Sequence, residues 1–154
     1  MMSKIVLPIN IYDRLRKNLY PLPSNLLATK NFSWKELLVN QIEIPSLEVL
    51  NNLLKVATIL QSYRNNIFEE SPITITSGWR SPDYNKKIGG ATNSYHTLGM
   101  ALDFVVNSFT PHQVQKLLDP MHKGGLEFAP TWTHIDIRKE NIRFDNKGRI
   151  VKYG

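Results

Sequence analysis

The chain contains no cysteine. Disulfide staples and thiolate metal ligands are therefore excluded, and any metal would have to be held by histidine, carboxylate and water. Long apolar runs are also missing: no stretch approaches the ~20 consecutive apolar residues of a transmembrane helix, so no membrane insertion is expected. The start, Met1 to Lys17, is interrupted by Pro8, Asn10, Asp13, Arg14 and Arg16 and does not read as a signal peptide. The expectation is a chain made and kept in the cytoplasm unless something releases it. Acidic residues are the scarcer sign, 13 Asp and Glu against 19 Lys and Arg, which gives a formal charge of +6 and a pI near 9.6. The basic residues are scattered, and no helix-turn-helix, zinc-finger or aromatic RNA-binding signature accompanies them. A solvated basic surface is the expectation, with no nucleic-acid partner.

What is present is an ordinary globular composition, 42% apolar and 21% charged over 154 residues, enough for one compact domain and its own core. Residues 1–31 are broken by Pro8, Pro21 and Pro23 and read as an arm packed on the domain, with a single domain over 32–154. Phe32 to Leu38 reads as a short helix capped by Ser33, with Glu36 placed for a capping box. From Ser46 to about Arg64, Leu47, Leu50, Leu53, Leu54, Ala57, Ile59 and Leu60 recur at helical spacing. Pro72 to Ser77 and Ala101 to Val106 read as strands. The polar stretch between them, Ser81 to Thr97, reads as a long loop with a helical turn at Asp83 to Lys87, the kind of loop that carries function. Thr110 and Pro111 open another helix, expected to end at Gly124 and Gly125. Leu126 to Phe128 and Trp132 to Arg138 follow as strands, joined at Ala129, Pro130 and Thr131, and a polar hairpin through Asp145 to Gly148 closes the chain. This order argues α+β with a small antiparallel sheet and flanking helices, as a single unit without internal repeats; a monomer is expected.

Two segments carry the chemistry. In Ser94-Tyr95-His96-Thr97-Leu98-Gly99-Met100-Ala101-Leu102-Asp103, a histidine and a carboxylate lie seven apart where a loop enters a strand. Gly99 and Ala101 keep that turn tight and leave room beside an ion. In Trp132-Thr133-His134-Ile135-Asp136-Ile137-Arg138, strand alternation puts His134, Asp136 and Arg138 on one face and Ile135 and Ile137 on the other. His96, Asp103 and His134 make three protein ligands and leave a fourth position for water, the arrangement of a catalytic rather than a structural zinc. Asp136 is placed to orient an imidazole or a substrate amine.

Ser77-Gly78-Trp79-Arg80, then Gly89-Gly90-Ala91 through Ser94-x-His96-x-x-Gly99-x-Ala101-x-Asp103, then His134-Ile135-Asp136, closely resemble the zinc D-alanyl-D-alanine carboxypeptidase superfamily. That group includes D-Ala-D-Ala dipeptidases and phage L-alanyl-D-glutamate endopeptidases, and the match covers roughly residues 32 to 138. The resemblance implies an α+β domain of the hedgehog and DD-peptidase kind, with Zn2+ on its sheet held by His96, Asp103 and His134. It implies that Arg80 holds a substrate carbonyl or the developing oxyanion, with Ser94 as a substrate-binding candidate that serves equally well to hold its loop. The substrate implied is a peptidoglycan stem or cross-link peptide, and the setting a phage endolysin or virion-associated lysin acting on the wall after release. A basic surface would help such an enzyme find the anionic polymers of a wall. Zinc lowers the pKa of its water towards ~7 and polarises the scissile carbonyl, and a carboxylate base completes the set.

There the chain departs from the best-known members, which place a glutamate three residues before the last histidine ligand; Thr131 stands at that position. The candidates are Glu127, seven before His134, and Asp136. Register decides for Glu127: paired with His134 its carboxylate aims at the metal, and paired with Thr133 it aims away. Thr131 favours a second reading, a zinc-binding structural or wall-binding protein that keeps the fold without the activity. His112 and His122 lie outside the motifs and read as surface or hydrogen-bonded residues, Tyr84 and Asn85 as loop-shaping ones. Trp34, Trp79 and Trp132 read as core or rim packing, with Trp79 and Trp132 also candidates for lining a cleft.

Overall fold

The structure is a computed structural model that describes residues 22, 24–38 and 44–151. Most of the arm expected over residues 1–31 lies outside the described residues, although Leu22 and Leu26 are buried in the core. Helix α1, Trp34–Leu37, is capped by Ser33 in a reciprocal box with Glu36, because the first amides of a helix need acceptors that the helix itself cannot supply. Helix α2, Leu47–Asn66, starts at the Ser46 cap and buries Leu50, Leu53, Val56, Ala57 and Leu60 along one stripe. Each of the leucine and valine side chains contributes about 1.5–3 kcal/mol on leaving water.

Five strands follow: β1 (Ile73–Ser77), β2 (Ala101–Val106), β3 (Gly125–Phe128), β4 (Thr133–Asp136) and β5 (Ile142–Asp145). Between β1 and β2 lie helix α3, Pro82–Lys87, and a 3-10 turn, Tyr95–Leu98; helix α4, Pro111–Leu118, connects β2 to β3. The fold is α+β, with sheet order β1-β2-β4-β3-β5. The first three pairings are antiparallel, but β5 runs parallel to β3, so the sheet is mixed rather than wholly antiparallel. Both edges of β4 are taken by β2 and β3, and the chain leaving β4 reaches the free edge only beyond β3. The hairpin expected at Asp145 to Gly148 forms there, with Gly148 N–H donating to the Asp145 carbonyl and a bridge between Phe144 and Ile150.

Register aligns Asp103 opposite His134, His134 opposite Glu127, Glu127 beside Phe144 and Ser77 beside Asp103. These five residues form one row across the sheet and share a face. Leu102, Phe104, Leu126 and Ile135 belong to the core that also takes up the apolar stripe of α2.

Helix α4 ends at Leu118, well before the glycines expected to stop it. The reason lies on β5. Arg143 donates to the Asp119 carboxylate at 2.8 Å and to the carbonyls of Asp119, His122 and Gly124 at 2.7 to 3.0 Å, so a charged fork from a distant strand takes acceptors a longer helix would have used internally. His122, in this turn, is 1% exposed. Its Nδ1 accepts from the Tyr63 hydroxyl at 2.8 Å and its Nε2–H donates to the Asp136 carbonyl at 2.9 Å, which fixes a neutral tautomer. Burial holds Tyr63 up at about 12 and pushes His122 down from 6.5 to about 4. A folded pKa below the unfolded one makes the neutral ring a source of stability that is fully present above pH 6.5 and lost as pH falls towards 4. Thermal unfolding should therefore show on the order of 2–3 kcal/mol of stability lost across that window, and the His122→Gln variant should lose much less over the same range.

Candidate metal centre

The two histidines and the carboxylate of the sequence motifs meet in one place. His96 comes from the 3-10 turn, whose Ser94 cap accepts from the His96 amide and whose end is Gly99 in the left-handed region, φ +72°; a residue with a Cβ is strained there. Asp103 and His134 come from paired positions of β2 and β4. One ligand atom from each of the three lies within 4.8 Å of the others, and all three residues are buried.

Asp103 Oδ1 is the meeting point, 3.1 Å from His96 Nε2 and 2.9 Å from His134 Nδ1. The opposite ring nitrogens are both engaged: His96 Nδ1 lies 2.8 Å from the Gly78 carbonyl and His134 Nε2 lies 2.8 Å from Asp136 Oδ2. A carbonyl only accepts, so His96 Nδ1 carries the proton, and the Asp136 carboxylate likewise accepts a hydrogen bond from His134 Nε2–H. In the neutral rings, His96 Nε2 and His134 Nδ1 then both present lone pairs to a carboxylate oxygen. Three acceptors facing one another need a proton or a cation between them, and this donor set of two imidazoles and a carboxylate suits a divalent metal. Burial pushes His134 down, but its hydrogen bonds to Asp103 and Asp136 outweigh that and hold it up at about 9. Burial acts the other way on Asp103, and hydrogen bonds from His134 and His96 hold it below the usual carboxylate range.

The cluster floors a cleft of about 670 Å³, lined among others by Arg80, Ser94, Tyr95, Glu127, Trp132, Arg138 and Phe144. Arg80 Nη2 stands 3.6 Å from Asp103 Oδ2, while its Nε donates to Ser77 Oγ at 3.1 Å and its Nη1 to Asn85 Oδ1 at 3.3 Å. Glu127 lies directly across from His134, the register that puts its carboxylate on the same face as the cluster. Burial raises its pKa, opposed mainly by the His134 charge.

A family model described as Peptidase M15 matches residues 26–136, which includes every residue of this cluster. The chain belongs to the Peptidase M15 family. Among curated proteins, this M15 chain is 27% identical over 117 residues to the protein named Peptidoglycan L,D-endopeptidase MepK of Escherichia coli (strain K12), a match covering 71% of this chain and 60% of the relative. The protein of the same name from Shigella flexneri matches equally. The chain thus spans about 60% of the length of these curated relatives.

The other residues singled out in the M15 chain fall as follows. Thr131 is exposed in the β3–β4 connection and is not among the residues lining the cleft. Asp136 is completely buried, and its carboxylate accepts from His134 Nε2, from Arg138 Nε at 2.8 Å and Nη2 at 2.6 Å, and from the amides of Gly125 at 3.0 Å and Arg138 at 3.2 Å. Ser94 lines the cleft, and its hydroxyl accepts from the His96 amide at 3.2 Å. Asn85 shapes the loop, donating to the Ala91 carbonyl at 2.8 Å while it accepts from Arg80. Trp132 lines the cleft, whereas Trp34 and Trp79 are core. Sequence reasoning missed Gly125 and Phe144, whose places depend on strand pairing. A Cβ on Gly125 would fall within 2.6 Å of Asp136 Oδ1 and closer still to Oδ2, so glycine there makes room for the carboxylate that orients His134. Outer contacts of this kind typically change metal affinity 10–100-fold. Gly125→Ala should weaken zinc binding by about that factor, read by competition with a chromogenic chelator.

Proposed function

We propose that this chain is a zinc-dependent peptidase that hydrolyses a peptide bond in the stem or cross-link peptides of peptidoglycan. The observation that carries the reading is the Glu127–His134 register, since it supplies a carboxylate beside the cluster although Thr131 occupies the usual glutamate position. Family membership supports the class of reaction, and the likeness to peptidoglycan L,D-endopeptidases supports the polymer and makes an L,D bond the first to test. The phage-type setting rests on the sequence resemblance alone.

His96, Asp103 and His134 would hold a zinc ion, which would supply a Lewis acid for the scissile carbonyl and the attacking water. Glu127 takes the proton of that water and passes it to the leaving amine. Its raised pKa makes it a stronger base towards the water, and the departing amine, more basic than any carboxylate, takes the proton from it in the second half. Arg80, held by Ser77 and Asn85, offers its guanidinium to the oxyanion as charge develops there. Asp136, closed off from solvent, orients His134 instead of meeting substrate.

Purified cell walls should lose turbidity with the protein and keep it in the presence of a chelator, with the product masses naming the bond. Glu127→Gln should lower kcat by roughly 10²–10⁴ with zinc still bound, and Arg80→Met by roughly 10²–10³. Because Glu127 works only when deprotonated, kcat/KM should fall as pH drops through a pKa above the ordinary glutamate value. A wild-type protein that binds zinc yet releases nothing from walls of several chemotypes would sink the enzyme reading in favour of a structural or wall-binding role.

A further inference from the structure

Arg138 lies two residues beyond Asp136 and four beyond His134, where β4 has already ended. Its guanidinium grips the Asp136 carboxylate with two nitrogens, Nε to Oδ1 at 2.8 Å and Nη2 to Oδ2 at 2.6 Å. Asp136 Oδ2 is also the oxygen that receives His134 Nε2. The same guanidinium stacks over the Tyr95 ring, 4.3 Å from its centroid, and Tyr95 immediately precedes His96 in the 3-10 turn. It also lies 5.2 Å from the centroid of the Phe144 ring, which meets the His134 ring edge-on at 5.7 Å. One planar cation therefore touches the carboxylate that orients one histidine, the neighbour of the other histidine, and the ring from β5 that packs on the first.

From this convergence we infer that Arg138 is a positioning residue of the metal centre, setting the aim of both histidine ligands through Asp136 and Tyr95. A carboxylate buried as fully as Asp136 is costly unless it is paired and hydrogen-bonded, and the forked guanidinium fixes the carboxylate plane as well as its charge. His134 Nδ1 then points at Asp103 because its Nε2–H has a single fixed acceptor. The stacking contact carries the same constraint to the backbone that presents His96, at a surface where a lysine ammonium would offer neither the fork nor the flat face. The inference rests on the proposed reading only in taking the centre to hold a divalent cation; it does not require peptide hydrolysis.

The test is metal binding by full-length Arg138→Met and Arg138→Lys beside wild type, using Zn2+ in competition with a chelator and Co2+ for its visible d–d absorption. Arg138→Met should bind Zn2+ 10–100-fold more weakly and shift or weaken the Co2+ bands. Arg138→Lys, with the charge but without the fork, should lose part of the affinity and alter the bands in the same sense. Asp136→Asn should weaken binding too, and the Asp136→Asn/Arg138→Met double variant should lose less than the two single losses combined, since the Asp136–Arg138 contact is common to both. Wild-type affinity and spectrum in Arg138→Lys and Arg138→Met overturn the inference, as does a raised KM with unchanged metal binding, which would make Arg138 a substrate contact; if Arg138→Met does not fold, Arg138→Lys decides. A wild-type protein that binds metal and cleaves no wall removes the peptidase reading and leaves this one standing, whereas unchanged metal binding in active variants does the reverse.

Discussion

His134 occupies the middle of three paired strands, opposite Asp103 on one side and Glu127 on the other, and most of the site follows from those two pairings. Side chains alternate along a strand, so slipping β3 by one residue would turn Glu127 to the far face and bring Leu126 or Phe128 towards the cluster. The same slip would take Leu126 out of the core it shares with Ile135 and Leu102. Apolar packing on the helix side of the sheet and the polar row on the other side thus select the same register. Gln115 of α4 strengthens that choice by donating to the carbonyls of Ala129 and Trp132, at 2.9 and 3.1 Å, which holds the connection between the two strands.

Around that row the molecule concentrates charge in a place with little water. Asp103 and Asp136 are both buried acids, and each is held below the usual carboxylate range, against burial, by its hydrogen bonds to histidine and, for Asp136, to Arg138. Buried charge of this kind is a poor source of stability, since desolvation offsets much of the attraction. Its value here lies in direction: each imidazole has one nitrogen committed to an acceptor and the other left facing the cluster. The stabilising work falls to the aliphatic stripe of α2 and the inner face of the sheet.

Local signals in the chain were informative where the cause was local. Ser33 and Glu36 marked the start of α1, Ser46 and the leucine spacing marked α2, and Ala101 to Val106 was legible as β2 to the residue. His96, Asp103 and His134 could be picked out because they sit in ordered motifs whose spacing is visible in the chain, and the structure brings them together. Less was legible where a partner lay far along the sequence. The stop of α4 at Leu118 depends on Arg143, 24 residues beyond Asp119, and the parallel seat of β5 depends on both edges of β4 being filled.

By itself, then, the sequence determined which residues were chemically able to bind a metal, where the two N-terminal helices and the strand Ala101–Val106 form, and that thiolate chemistry was absent. Those properties come from side-chain type and from neighbours within one helical turn or one strand. Only the tertiary structure decided that Glu127 stands beside His134 rather than turned away, that Asp136 is spent on orienting a ring, and that Gly125 and Arg138 make this possible. Each of these is a contact between segments, and two registers of a short strand differ by one residue in a way that no pattern within the strand records; the balance of packing on both faces of the sheet selects between them.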